Sequence, residues 1–395
     1  MTYERKCPIC NSENKMQLYK QEFANIQRVT FLKDGYDVVN CEDCGFIFAD
    51  HIPSQAKFEE YYTSMSKYEK NDCNDLDELQ SPVLQERFSS RFDKIREYID
   101  NDSDILEIGC ATGTFLKVLK DKGFQNVKGI DPSPKCVEYM KKKHRIDAEV
   151  GVISKLQSNK KFDLIMLVGV LEHIVDLKNL IQVMSSLLKD HGVLYLELPD
   201  IMNFSTEKDM PFQEFSVEHV NFFSIESLKN LLSLQNLFLD KYYIEDKYFD
   251  CLTASCIHAS FIKKANCQYE IKKDCLGKDA VKKYIVDSYK IHNKVNEVLI
   301  KMVETQEPVV VWGVGTHTLR MLEQSNLKKC NIVALVDSNP RYVNGTWKNL
   351  TIKSPICLKE YKYAVILLST IRYKEEMIRK IRDEMKLQNK ILFLY

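Results

Sequence analysis

Four cysteines near the start of the chain have the spacing of a metal site. They form two Cys-x-x-Cys pairs with thirty residues between the pairs, and they are Cys7, Cys10, Cys41 and Cys44. Each pair places two thiolates on one side of a tight turn, and two turns complete the tetrahedral set of sulfurs that suits Zn²⁺. Because four thiolates fill the coordination shell and leave no position for water, we expect a structural zinc ion rather than a catalytic one.

A second group of residues has the pattern of a nucleotide-binding turn. The segment from Asp104 to Phe115 reads as an apolar strand, a turn that contains Gly109 and Gly113, and the start of an amphipathic helix. The glycines are expected to let the backbone approach a ligand closely. A further strand ends in Asp131, where a carboxylate can accept hydrogen bonds from ribose hydroxyls. Nicotinamide dinucleotides and S-adenosylmethionine (SAM) are both bound in this geometry.

Two details of this turn favour SAM. Glu107 lies two residues before Gly109, so the segment resembles the ExGxxxG motif of class I SAM-dependent methyltransferases, and Ala111 stands where a dinucleotide motif has its second glycine. A glutamate near the turn repels a pyrophosphate but suits the cationic sulfonium and amino groups of SAM. The residues expected to bind SAM are Glu107, Gly109, Cys110, Ala111, Gly113 and Asp131.

The order of motifs along nearly the whole chain resembles the C-methyltransferases that act on nucleotide-linked deoxysugars. The resemblance rests on the paired cysteines, on residues 218–224, and on residues 309–317 followed by residues 336–340. It implies that a nucleotide-linked sugar is the methyl acceptor and that the C-terminal part helps to hold it. Ser216 stands where the family has a tyrosine, which leaves methylation at oxygen open.

The same resemblance implies a set of catalytic residues. They are Glu218, His219, His173 near the fourth strand, and Tyr62 (or Tyr61) before the methyltransferase core. Methylation of carbon requires an enolate, and His219 is the predicted base because imidazole titrates near neutral pH. Glu218 would orient or polarise that ring, and His173 would hold a sugar hydroxyl or the developing oxyanion.

Two other functions stay open. One is a SAM-dependent O- or N-methyltransferase for another small molecule or carbohydrate. The other is a zinc-ribbon RNA methyltransferase or nucleic-acid binder, although the 56 acidic and 56 basic residues give no overall charge that would attract nucleic acid.

Alternating strand and helix patterns predict an α/β protein in three parts. Residues 1–75 form a zinc-ribbon-like module with short strands at 28–32 and 36–40, and residues 76–245 form a Rossmann-like class I methyltransferase core. Residues 246–395 form a second Rossmann-like, substrate-binding domain. Its first part is a strand near residues 251–261 and a helix over 269–304, whose inward stripe is Val281, Ile285, Tyr289, Val295 and Leu299.

Bulk properties limit where the protein acts. The chain has no apolar run of eighteen residues and begins without the apolar core of a signal peptide, so we expect a soluble, cytoplasmic protein that binds no membrane and no nucleic acid. We expect a monomer or a homodimer. Thirteen cysteines minus the four in pairs leaves nine, which we expect to be buried packing residues.

Overall fold

Three β-sheets organise the protein. The computed structural model describes residues 4–27, 32, 35–65, 82–152, 156, 159–204, 210–249, 252–265, 267–370 and 373–394. We call residues 4–65 the N-terminal module, residues 82–263 the middle unit and residues 277–394 the C-terminal unit. The helices and strands confirm the predicted α/β class with two parallel-stranded sheets.

The N-terminal module contains a small antiparallel sheet. Its strands in spatial order are β1 (Lys15–Gln21), β2 (Tyr36–Cys41), β3 (Ile47–Asp50) and β9 (Asn221–Phe222). The predicted strand at 36–40 is β2, whereas the one predicted at 28–32 lies, apart from Leu32, outside the described residues. Helix α1 (Gln55–Met65) follows β3 and leads towards the middle unit. The last strand, β9, comes from the middle of the chain, so the sheet joins two distant segments.

The middle unit has a seven-stranded sheet in which five neighbouring strands are parallel. The strands follow each other in space as β6 (Asp147–Val150), β5 (Val127–Asp131), β4 (Ile105–Ile108), β7 (Phe162–Val168), β8 (Leu188–Pro199), β11 (Leu252–Lys263) and β10 (Leu237–Phe249). Its helices are α2 (Pro82–Ile95), α3 (Thr114–Asp121), α4 (Pro134–Tyr139), α5 (Leu177–Leu187) and α6 (Ile225–Ser233). The carboxyl ends of the parallel strands meet at one edge, where ligands of such sheets bind.

The predicted boundary between residues 245 and 246 falls inside a hairpin. Strands β10 and β11 pair antiparallel, and β11 pairs with β8 from Cys256 to Ile262. The strand near residues 251–261 therefore completes the middle sheet instead of opening the C-terminal unit. Its alternating pattern identified a strand but carried no information about the sheet to which it belongs.

The C-terminal unit has a six-stranded sheet in the order β14-β15-β13-β12-β16-β17. Only β14 is antiparallel to its neighbour. The strands are β12 (Val309–Trp312), β13 (Ile332–Val336), β14 (Thr346–Trp347), β15 (Leu350–Lys353), β16 (Val365–Leu368) and β17 (Ile391–Phe393), and the helices are α7 (Gly277–Thr305), α8 (Thr316–Gln324) and α9 (Lys374–Arg379).

Helix α7 begins eight residues later than predicted. The Asp274 carboxylate accepts hydrogen bonds from the amides of Leu276 and Gly277, and the Asp274 amide donates to the carbonyl of Cys44. These bonds hold the preceding segment against the second cysteine pair and prevent it from joining the helix.

The buried stripe of α7 differs from the predicted one at a single position. Tyr289 is 46% exposed, and Ser288 and His292 are buried beside the expected Val281 and Leu299. The buried positions repeat every three or four residues, which places 288 rather than 289 on the inward line. Among the described helices, none combines the length and the apolar character that a membrane span requires.

The cysteines outside the two pairs do not all behave as expected. Five are buried, namely Cys110, Cys136, Cys256, Cys330 and Cys357. Cys267 and Cys275 are exposed, so the prediction is wrong for these two, and Cys73 and Cys251 lie outside the described residues.

A buried ion pair ties α2 to strand β8 of the middle sheet. The Arg91 guanidinium donates from Nε and one Nη to the two carboxylate oxygens of Glu197 at 2.8 and 2.9 Å. Both side chains are at most 5% exposed. Removing one partner from such a pair leaves an uncompensated charge in the core.

We therefore predict that Arg91→Ala lowers the free energy of unfolding by about 3–5 kcal/mol. Urea denaturation followed by circular dichroism measures the change. Lys142→Ala, which removes an exposed ion pair with Glu138, should leave the unfolding midpoint where it is. Equal midpoints for Arg91→Ala and the wild type would show that the pair contributes nothing.

Candidate active site

The four paired cysteines converge as the sequence predicted. The Sγ atoms of Cys7 and Cys44 are 3.5 Å apart, those of Cys10 and Cys41 are 3.4 Å apart, and all four lie within 4.8 Å of one another. A tetrahedron with Zn–S bonds of about 2.3 Å has edges of about 3.8 Å, so the donor set fits zinc. Hydrogen bonds from the Cys44 and Cys7 thiols lower the pKa of Cys41. The contact between Cys41 and Cys44 raises the pKa of Cys44.

Asp131 closes the predicted nucleotide-binding turn. Its carboxylate accepts hydrogen bonds from the amides of Ala111 at 2.7 Å and Ser133 at 2.9 Å. It is 5% exposed and lies at the edge of a cavity. One carboxylate thus joins the turn after β4 to the end of β5, and this fixes the part of the cavity wall formed by Gly109, Ala111 and Asp131.

The two glycines of the turn are required by the protein's own packing. Gly109 and Gly113 both have φ near +70°, a region that L side chains rarely adopt. A Cβ at Gly109 would lie 2.5 Å from a methyl group of Val170, and one at Gly113 would lie 2.5 Å from the sulfur of Met140. Packing against Val170 and Met140 is thus a second reason for glycine at these positions, beside the predicted close approach to a ligand.

Glu107 is a buried carboxyl group next to this turn. It is 5% exposed, and its Oε2 atom makes no hydrogen bond to any described residue. Burial raises the pKa of Glu107 to about 7, and the nearby Asp131 carboxylate adds to the effect while Arg91 opposes it. The group is therefore poised to respond to a positive charge that enters the site.

A single cavity of about 440 Å³ extends from this turn across all three parts of the protein. From the middle unit it is lined by Ile108, Gly109, Ala111, Asp131, Pro132, Gly151, Val152, Val168, Gly169, Val170, His173, Ile174 and Glu218. The N-terminal module adds Gln55, Glu59, Tyr61 and Tyr62, and the C-terminal unit adds Asn339 and Tyr342. Three of the six predicted cofactor residues, Gly109, Ala111 and Asp131, therefore share one space with Tyr62, His173 and Glu218, whereas Glu107, Cys110 and Gly113 are not among its described lining residues.

Tyr61 holds Glu218 at the cavity wall. The Tyr61 hydroxyl donates to Glu218 Oε1 at 2.7 Å. Burial, together with the Glu218 carboxylate, raises the pKa of Tyr61, so its phenol stays protonated and remains a donor. The prediction that Glu218 orients His219 is not what the structure shows, because its carboxylate is bound by Tyr61.

Ser216 has a backbone role at the position where a tyrosine was expected. Its hydroxyl accepts hydrogen bonds from the amides of Glu218 and His219 at 3.2 and 3.0 Å. Its carbonyl accepts a bond from the Tyr36 hydroxyl at 2.8 Å. Ser216 thus shapes the turn that presents Glu218, and the phenols in the cavity come from elsewhere in the chain.

His173 and His219 form a contacting pair in which only one ring borders the cavity. Their ring centroids are 4.9 Å apart in an edge-to-face arrangement. His173 is among the described residues that line the cavity, whereas His219, which is partly exposed, is not. Burial, with the neighbouring His173, lowers the pKa of His219 to about 3, so this imidazole is neutral at physiological pH.

Tyr62 packs against the same pair from the N-terminal module. Its ring meets that of His173 at 5.8 Å, edge to face. The Tyr62 hydroxyl is buried and makes no hydrogen bond within the described part of the chain. Burial raises the pKa of Tyr62 well above its usual value, which leaves a neutral hydroxyl available to a ligand.

Several residues of the site were not predicted. Glu59, Glu172, Asn339 and Tyr342 belong to it. Asn339 lies within the segment 336–340 noted in the sequence, but nothing in the sequence alone indicates that this segment reaches the middle unit.

Two parts of the chain match known protein families. Residues 83–241 match the family model described as "Methyltransferase domain", and residues 305–392 match the model "C2185-like, N-terminal". The ubiquinone biosynthesis O-methyltransferase of Pelagibacter ubique is 34% identical over 97 residues, which are 23% of this chain and 40% of that protein. The malonyl-[acyl-carrier protein] O-methyltransferase 2 of Ilyobacter polytropus is 30% identical over 169 residues, or 38% and 60% of the two chains.

Among solved structures, the N-methyltransferase NodS from Bradyrhizobium japonicum in complex with S-adenosyl-L-homocysteine is similar over 53% of this chain and 99% of its own, with a TM-score of 0.39 and 20% identity. The chain spans between about two fifths and three fifths of the length of the curated relatives named above.

Residues 83–241 form a methyltransferase domain. The turn after β4, the parallel sheet and the matching residues 83–241 define it. The matches do not single out the sugar C-methyltransferases that the order of motifs resembles.

We predict that SAM binding releases a proton from Glu107. The positive charge of SAM stabilises the carboxylate and lowers its pKa from about 7. Affinity for SAM should therefore rise as the pH increases from about 5 to about 7 and level off above. Isothermal titration calorimetry in buffers with different ionisation enthalpies measures the proton release. Glu107→Gln should bind SAM without this release, and an unchanged release in that variant would assign the proton to another group.

Proposed function

We propose that the protein transfers the methyl group of SAM to a nucleotide-linked deoxysugar, at the carbon next to a keto group. The observation that carries the proposal is the single cavity that runs from Gly109 and Asp131 to His173 and Glu218. An acceptor bound against His173 and Glu218 would lie beside a cofactor bound at Gly109 and Asp131. Methyl transfer depends mainly on such alignment of acceptor, methyl group and sulfur.

The lining of the cavity suits the sugar part of this acceptor. Three tyrosines, Tyr61, Tyr62 and Tyr342, supply aromatic surfaces and neutral hydroxyls. Burial raises the pKa of Tyr342 to about 12, so it too stays protonated. Among the described residues that line the cavity there is no lysine or arginine. The charged phosphates of a nucleotide would therefore lie outside this space, with the uncharged sugar inside.

The histidine pair supplies the proposed base. A proton must leave the carbon before that carbon attacks the methyl group, and a neutral imidazole can accept it. Because His173 borders the cavity and its ring contacts that of His219, we assign this role to the pair rather than to His219 alone. Tyr62 and Glu218 would then hold the acceptor's oxygen atoms.

Methylation of oxygen is the second candidate. Ser216 turns its hydroxyl to the backbone and supplies no phenol, and the two curated relatives described above are named as O-methyltransferases. An oxygen acceptor needs only the base and the cofactor, both of which the proposed site provides.

Incubation with SAM and a panel of nucleotide-linked 4-keto sugars tests the proposal. We expect one member to gain one methyl group, detected by mass spectrometry. Without SAM, the hydrogen next to the keto group should exchange with deuterated water if carbon is the acceptor and should persist if oxygen is. His173→Asn should abolish turnover and keep SAM binding, whereas the exposed His191→Asn should behave as wild type. Methylation of sugars that lack a nucleotide, with none of the panel accepted, would contradict the proposal.

We also propose that the four cysteines hold one structural Zn²⁺. The short distances between their sulfurs support this. Elemental analysis should find zinc in the purified protein, and Cys41→Ser should lose it. Because the second cysteine pair is bonded to the segment before α7, this variant should also unfold at lower temperature. Cys267→Ser, which alters an exposed thiol, is the matched control. Full zinc content in Cys41→Ser would rule out the assignment.

A further inference from the structure

We propose that Glu172, His173 and His219 form a second metal site, for a divalent transition-metal ion, at the wall of the acceptor cavity. The use we assign to this ion rests on the proposed methyl transfer, but the binding itself does not. The site is separate from the four cysteines and differs from them in its donor atoms.

The three side chains present the right donors at the right spacing. One carboxylate oxygen and one ring nitrogen from each histidine lie within 4.8 Å of one another. The distance from His173 Nε2 to Glu172 Oε1 is 3.8 Å. Two imidazoles and one carboxylate on one side of an ion leave further positions open, which is the arrangement of many catalytic divalent metals.

The tautomer of His173 favours metal binding over a simple ion pair. Its Nδ1 lies 3.1 Å from the carbonyl oxygen of Glu218. A carbonyl only accepts, so Nδ1 carries the hydrogen and Nε2 carries the lone pair of the neutral ring. Histidines that bind metals usually donate their other N–H to a carbonyl or carboxylate in this way. At 3.8 Å, Nε2 is also too far from Glu172 for a hydrogen bond.

The backbone holds the three ligands in place before any ion binds. Glu172 and His173 belong to the short 3-10 turn Leu171–His173 after β7, and His219 comes just before β9. The amide of Val220 donates to the carbonyl of Glu172 at 2.8 Å, and the side chain of Asn221 donates to the carbonyl of Leu171 at 3.1 Å. The two segments that carry the ligands are therefore fastened to each other.

The proposed metal site borders the cavity, so a bound ion would reach the acceptor. His173 borders the cavity, and a Cβ at the lining residue Gly169 would be 3.7 Å from Glu172 Oε1. The open positions of an ion would therefore face the acceptor, whose keto or hydroxyl oxygen it would polarise as a Lewis acid.

When the ion is present, the histidines bind it and cannot act as the base. Glu218, which also borders the cavity, then takes the proton from the carbon next to the keto group. The electron pair of the broken C–H bond forms the enolate. The enolate carbon then forms a bond to the methyl group while the bond between sulfur and the methyl group breaks. The electron pair of that bond stays on the sulfur, which leaves as S-adenosylhomocysteine. No oxidant or reductant is needed.

Cobalt titration of the metal-depleted full chain tests the site. We expect two Co²⁺ ions to bind, one with the intense thiolate charge-transfer bands of the cysteines and one with the weaker visible bands of nitrogen and oxygen ligands. His173→Asn and Glu172→Gln should bind one ion and keep the thiolate bands, whereas Cys41→Ser should keep only the weaker bands. His191→Asn should bind two. SAM binding, measured by calorimetry, confirms that each variant is folded.

The number of bound Co²⁺ ions tests the metal site, and the methylation assay tests the proposed acceptor independently. A single Co²⁺ per chain in the wild type, with bands unaffected by His173→Asn, would overturn the second site and leave the histidine pair as the base. Two ions with no methylation of any nucleotide-linked sugar would support the site and reject the proposed acceptor. If both hold, removal of metal should reduce turnover at least tenfold, and addition of Co²⁺ or Zn²⁺ should restore it.

Discussion

The active site depends on one carboxylate that binds two backbone amides. Asp131 accepts bonds from Ala111 and Ser133 and thereby fixes the turn after β4 against the end of β5. The C-terminal unit repeats the device, because Asp337 accepts bonds from the amides of Val314 and Asn339, both at 2.7 Å. In the middle unit the arrangement forms the part of the cavity wall that contains Ala111 and Asp131, and in the C-terminal unit it places Asn339 in the cavity. A charge-assisted bond of this kind is among the strongest that a turn can make.

The N-terminal module connects the two Rossmann-like units. The ring of Tyr19 stacks on Phe212 at 4.6 Å, and its hydroxyl bonds Gln324 on α8. One hydrophobic cluster contains Phe23 and Ile26 of the module, Phe215 of the middle unit and apolar residues of the C-terminal sheet. Because α1 leaves this packed region directly, Tyr61 and Tyr62 are fixed relative to both neighbours. A zinc ion bound by the four cysteines would therefore stabilise the part of the protein that carries Tyr61 and Tyr62 into the cavity.

Much of the architecture could be predicted because its signals are local. The strand, turn and helix around Gly109 follow from residue period and glycine placement, and the cysteine spacing alone predicted the sulfur cluster that the structure shows. The contacts of Tyr61 and Tyr342 could not be predicted, since each depends on how separate units pack. The same limit explains why β11 was placed in the wrong unit: strand periodicity identifies a strand, whereas sheet membership is decided by long-range pairing. The role of Ser216 was not predicted because the family motif compares residue types, whereas the Ser216 hydroxyl accepts hydrogen bonds from backbone amides.

The pairing of β9 with β3 affects when the N-terminal module can fold during synthesis. Ile47 pairs with Phe222, and Phe48 pairs with Asn221. The N-terminal sheet is therefore complete only after residues about 170 positions further along the chain have been synthesised. The residues just before β9 are Glu218 and His219, and the strand that completes the small sheet also sets their position. The N-terminal module is therefore unsuited to exchange between proteins as an independent cassette. A transplanted copy would lack its last strand, and the parent protein would lose the strand pairing that positions Glu218 and His219.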